Sequence, residues 1–194
     1  MTTKGKGSFG YLKKTAVKNG LFALGNVLIC ALIFIIGNFL VDKNSTLFTI
    51  VAVLGMLPAA KFIVSMILFM RAEKYSCQKN LYDSLLSLME DKNEKFLCAF
   101  DLYLTSYEKN FPLSAALVKK GSLIAFSDAK KLDEQEAKKH LDTYLKKNGI
   151  SGIAVKIYKD QSKFEERFKQ LCLDKEAVTD TELSAFAVLI DLSI

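Results

Sequence analysis

Histidine is nearly missing from this chain: His140 is the only one in 194 residues, and the four cysteines, Cys30, Cys77, Cys98 and Cys172, form no CxxC pair. Zinc fingers, iron–sulfur clusters and disulfide frameworks need more ligands at closer spacing, so the thiols read as free and mostly buried. A Ser-His-Asp arrangement would have to use His140, which sits beside Lys138 and Lys139 and reads as an exposed helical histidine. The chain also lacks GxxxxGK[ST], HExxH and GxSxG signatures. No catalytic residue, cofactor or metal is expected from these patterns.

Charge is absent where it matters most. Residues 21–70 contain only Asp42, Lys43 and Lys61 as charged groups. The run at 21–41, LFALGNVLICALIFIIGNFLV, has none, and 21 residues at about 1.5 Å each match the thickness of a bilayer core. A second apolar run spans 47–70, interrupted by Pro58 and Lys61, and the polar stretch 42–46 is a sufficient turn for a helical hairpin. The first run exceeds the apolar core of a signal peptide, and no small-x-small cleavage site precedes Asp42. The expected organisation is a basic N-terminal segment at 1–20, a transmembrane hairpin at 21–70 and a soluble domain at 71–194.

The overall charge of +6 is therefore misleading. Residues 72–194 carry 19 Lys and Arg against 20 Asp and Glu, whereas residues 1–71 carry 8 against 1. The basicity belongs to the anchor, and nucleic acid is not an expected partner. Lys4, Lys6, Lys13, Lys14 and Lys18 precede the first span, Arg71 and Lys74 follow the second, and Lys43 stands alone between them. This asymmetry places both termini in the cytoplasm and the protein in the plasma membrane. Phe9, Tyr11 and Leu12, interleaved with Lys13 and Lys14, also suit a segment lying on anionic headgroups. Lys61 is the costly residue: either Pro58 kinks the helix and the ammonium snorkels, or it meets a partner or polar cavity.

The soluble part reads as α+β. A helix is expected to continue from the anchor through 72–90, with Tyr75, Leu81, Leu85, Leu86 and Met89 near helical spacing, until the charged stretch 90–95 breaks it. Residues 96–106 have strand character, and 113–118 with 123–127 flank a turn in which Gly121 accommodates positive φ. Residues 134–148 form a helix capped by Gly149, 153–158 look like a further strand, and 163–171 are amphipathic through Phe164, Phe168 and Leu171. The end, 183–194, suits strand or helix, with Asp180 and Glu182 favouring helix. The sum is a small domain with a three-stranded antiparallel sheet and two to four helices.

The order helix, three strands, helix, strand invites comparison with nucleases that hold magnesium through an Asp and a (D/E)xK triplet. Asp101 fits the first role, but Leu117-Val-Lys119 places leucine at the second carboxylate, so the comparison fails. Glu134/Glu136 and Glu165/Glu166 read as solvated helix faces, and Lys119-Lys120 and Lys130-Lys131 as ordinary turn charges.

Gly7-Ser-Phe-Gly-Tyr11 followed by Lys13-Lys14, with the segment 51–58, VAVLGMLP, resembles a poorly characterised family of short two-helix membrane proteins of Gram-positive anaerobes. The resemblance implies a bacterial inner membrane, and such proteins sometimes carry the label "O-linked GlcNAc transferase-like". The label implies a glycosyltransferase, yet the chain has no DxD motif. The reading is an integral membrane protein whose cytosolic domain is a non-enzymatic protein-interaction or scaffolding module. Its expected partners are the bilayer and a protein, or a second copy through the hairpin. The alternative is a membrane-anchored enzyme, a transferase or nuclease-like hydrolase, working near Asp101.

Overall fold

The computed structural model describes residues 5–40, 46–90, 96–106, 109–174 and 176–194. Most of the expected turn at 42–46 and of the charged stretch at 90–95, with Lys4 and Lys43, lies outside them. The chain divides into two units: residues 12–73, and residues 1–11 together with 74–194.

The first unit is built from α1 (Tyr11–Leu40) and α2 (Thr46–Glu73). Both are long and apolar enough to cross a membrane, over Tyr11–Gly37 and Phe48–Glu73. Only 17% and 11% of the 18-residue apolar stretches within them are buried, whereas the core helix of a soluble protein is mostly buried. Leu21, Leu24, Leu28, Leu32, Val53 and Val64 are among the apolar side chains left outside. The helices pair antiparallel: Asn19 Nδ2 donates to Ser65 Oγ at 2.9 Å, and Phe22 stacks on Phe62 at 5.6 Å. Further along, Gly55 abuts Cys30 and Gly37 abuts Phe48. Small residues permit this approach, since a Cβ on Gly37 would lie 2.5 Å from the Phe48 Cβ.

The register gives a direct check. A Cβ on Gly55 would stand 2.9 Å from the Cys30 Sγ. Gly55→Cys is therefore expected to form an intrachain disulfide with Cys30 under mild oxidation. Loss of both thiols to maleimide labelling reads it out, and persistence of both would refute the register.

Helix α2 carries Pro58 inside it and ends at Glu73. The helix expected across 72–90 stops at Glu73, and α3 (Lys79–Glu90) begins after an irregular stretch. The cause is tertiary: the Cys77 N–H bonds a side chain of the sheet instead of a helical carbonyl.

The second unit holds a mixed sheet of four strands rather than three antiparallel ones. These are β1 (Leu97–Thr105), β2 (Asn110–Lys119), β3 (Ser122–Phe126) and β4 (Ala154–Tyr158), in that order across the sheet. The first three form an antiparallel meander; β4 runs parallel to β3 because α4 (Glu134–Lys147) carries the chain back between them. The β2–β3 turn takes positive φ at both Lys120 and Gly121, the conformation of a tight primed hairpin turn. α4 ends as expected on Gly149 at φ 73°, with the Ile150 N–H reaching back to the Leu145 carbonyl.

Two helices cover each face. α3 and α5 (Gln161–Leu173) bury Leu81, Leu85, Phe164 and Phe168 against Cys98, Phe100, Leu117 and Ile124. α4 and α6 (Asp180–Leu192) bury Leu141, Leu145, Ala185 and Leu189 against Leu102, Leu113, Val118 and Leu123. The ambiguous C-terminal segment is thus a helix, set by a capping box in which Thr179 and Glu182 bond each other's backbone N–H.

Candidate functional site: a buried carboxylate at Asp101

Strand alternation breaks in the middle of β1. Leu97 and Ala99 face α4 and α6, but so do Leu102 and Leu104, so the pleat shifts by one residue at position 101. β2 shifts in the same place: Phe111 and Leu113 share a face with Ala116 and Val118. Asp101 and Ser114 stand opposite each other at the shift, between the pairs Phe100↔Ala115 and Leu102↔Leu113. Asp101 accommodates this with φ at 52°, a left-handed conformation that aspartate tolerates better than most residues.

The shift turns both polar side chains inward, where they are 1% and 2% exposed. One Asp101 oxygen accepts the Cys77 N–H at 2.7 Å and the other accepts the Gly10 N–H at 2.5 Å. Ser114 Oγ donates to the Tyr75 carbonyl at 3.2 Å. One carboxylate thereby holds the stretch that enters α1 and the stretch that follows α2. Residues 5–10 are held by more than this bond. The Phe100 N–H donates to the Gly7 carbonyl at 2.8 Å, and Phe9 stacks on Tyr82 at 4.2 Å, with Tyr82 edge-on to Phe100. Lys6 Nζ donates to the Ser193 carbonyl, while Ser193 and Ile194 bond the outer edge of β1 at Tyr103. Phe9, which the sequence suits to a headgroup layer, is therefore packed in the domain.

The chemistry open to this centre is limited. Both Asp101 oxygens are engaged by main-chain donors, Leu117 is fully buried in the apolar layer, and Lys119 is buried as well. Lys119 is not the ordinary turn charge its sequence position suggests: its Nζ lies over the Phe96 ring and donates to the Asp174 carbonyl. Leu117 and Lys119, at which the nuclease comparison failed, are thus spent on structure. Lys120 beside it does remain at the surface, paired with Asp174. No group of three or more His, Cys, Asp or Glu among the described residues is placed to hold a metal ion.

All four cysteines are free and buried. Burial, with the Asp101 carboxylate next in effect, pushes the Cys77 thiol up to about 12, and burial also pushes Cys98 upward. Both stay protonated at neutral pH and are poor nucleophiles.

A second polar feature lies at the start of β2. His140, stacked near Phe111 and Tyr144 at 5.2 and 4.8 Å, borders a shallow open hollow of about 330 Å³ with Lys109, Glu136 and Thr143. Lys109 holds both Glu136 oxygens, at 2.7 and 2.6 Å. The His140 Nε2 is buried without a partner, and burial lowers the imidazole below its usual range. A base with a lowered folded-state pKa binds fewer protons folded than unfolded, so stability is complete above the unfolded pKa and declines as pH falls below about 6.5. His140→Phe is expected to flatten that acid limb in urea titrations between about pH 7.5 and 5.5. An unchanged slope would refute the assignment.

The other residues singled out by sequence lie in the first unit. Lys13 and Lys14 are exposed on the first turn of α1, and Pro58 and Lys61 are exposed on α2. The clamp at Asp101 had no sequence signal except an aspartate inside an apolar strand. Comparison with models of known families, with curated proteins and with solved structures finds nothing that matches this chain.

Proposed function

We propose that the protein is anchored in the bacterial plasma membrane by α1 and α2, and presents its α+β unit to the cytoplasm as a non-enzymatic protein-interaction or scaffolding module. The observation that carries the topology is the docking of residues 5–10 into the unit formed by 74–194. Segments hydrogen-bonded into one domain lie on one side of any bilayer, so the two helices form a complete out-and-back passage. The lysine asymmetry makes that side the cytoplasm. The enzymatic alternative gains no support at Asp101, whose oxygens hold the fold together.

The test is a topology map in intact cells. A cysteine replacing Asn44 is expected to react with a membrane-impermeant maleimide from outside. Tags at the N- and C-termini are expected to become accessible only after permeabilisation. Termini on opposite sides would overturn the topology, and extraction of the protein by alkaline carbonate would overturn the anchor. Affinity purification in mild detergent then tests the module: reproducible absence of any specific companion protein counts against it.

A further inference from the structure

We infer that Lys61 marks a docking face for a second membrane protein, one whose transmembrane helix carries a carboxylate near the middle of the bilayer; the inference rests on the membrane anchoring proposed above. Lys61 lies 10 positions before Arg71 in an uninterrupted helix, hence about 15 Å from the basic flank that ends the span. Thr46 lies 15 positions the other way, about 22 Å off. Helix α2 continues through Pro58 to Glu73, and a lysine side chain covers less than half of either distance. The ammonium has no hydrogen bond or ion pair among the described residues.

The position of Lys61 around the helix identifies the surface. The seam with α1 is made by Ala52, Gly55, Ala59, Phe62 and Ser65. Lys61 belongs instead to the ridge of Leu54, Leu57 and Val64, which are 58%, 67% and 68% exposed. It is the single charge on an otherwise apolar outer face, and an unpaired charge at that depth is expensive in hydrocarbon. Charge complementarity selects the occupant. A second copy of this chain offers no counter-charge at that depth: Asp42 is the only acid in residues 21–70 and precedes α2, and Glu73 ends α2 about 18 Å from Lys61. The complement is an Asp or Glu on another protein's helix, flanked by apolar residues that fit against Leu57 and Val64.

The experiment uses the full-length protein in its own membranes, with a photo-crosslinking amino acid at Val64 or, separately, at Leu57. The expected result is a crosslink to one membrane protein with a carboxylate in a transmembrane segment. Lys61→Met should lower its yield about fivefold to tenfold, and Lys61→Arg should retain it. Neutralising the partner's carboxylate should lower the yield equally, without further loss in the double variant. Crosslinks to lipid only, to a second copy, or to a protein without an intramembrane carboxylate overturn the inference, as does a yield indifferent to Lys61→Met. Lys61→Met makes the span more apolar, so its membrane retention serves as the control. Loss of wild-type chain from the carbonate-resistant pellet refutes the anchor itself; retention without the crosslink refutes only this docking face.

Discussion

Asp101→Ala is expected to destabilise the α+β unit by about 4 kcal/mol, from two lost hydrogen bonds that leave the Gly10 and Cys77 N–H groups without their acceptor, at about 1.5 kcal/mol each. The left-handed backbone conformation adds about 1 kcal/mol, because alanine occupies the φ of 52° reluctantly. Two further variants separate these contributions. Asp101→Gly removes the acceptor but not the conformational tolerance, and should cost about 3 kcal/mol; Asp101→Asn keeps one acceptor oxygen and should cost about 2 kcal/mol. The order Asn, Gly, Ala is the signature of the clamp. Pulse proteolysis in urea is a suitable readout, since the chain has no tryptophan for fluorescence. Equal midpoints for the three variants would refute the account.

Phe164→Ala should cost about 3–5 kcal/mol, the usual range for emptying a fully buried phenylalanine site. Phe164 lies between the sheet and α5, with ring centroids of Phe126, Phe168 and Tyr158 at 5.7, 5.8 and 6.1 Å. Three aromatic neighbours held by separate elements leave little freedom to collapse into the cavity. Leu173, on the same helix but 63% exposed, is the internal control, and its alanine variant should fall within about 0.5 kcal/mol of wild type. A Phe164→Ala midpoint as close to wild type as that of the control would sink the packing argument.

The sequence carried the local features well. A gap in charge reveals α1 and α2, Gly121 reveals the β2–β3 turn, Gly149 reveals the end of α4, and the spacing of Phe164, Phe168 and Leu171 reveals α5. Each of these signals operates over a few residues. The parallel placement of β4 was not legible, because Val155 and Ile157 alternate the same way beside either neighbour. The end of α2 was missed for a related reason: Tyr75 and Leu81 keep helical spacing across a break that a partner 24 residues later imposes at Cys77. Thr179 with Glu182 is a legible capping signature that settles the C-terminal segment as helix. Asp101 was visible as an anomaly, a carboxylate in an apolar strand. Its role required knowing that Gly10, 91 positions away, would supply a donor.

The bond between Phe100 and Gly7 also has a temporal meaning during biosynthesis. The Gly7 carbonyl and the Gly10 N–H leave the ribosome early, but their partners on β1 are made about 90 residues later. At about 5–20 residues per second that interval is roughly 5–20 s. Both apolar helices are synthesised within it. On the topology proposed above, the N-terminal segment waits on the side where synthesis proceeds, without its eventual partners, while the hairpin inserts. Its protection from protease is expected to arise only after β1 has emerged, which makes residues 5–10 an internal clock for folding of the domain.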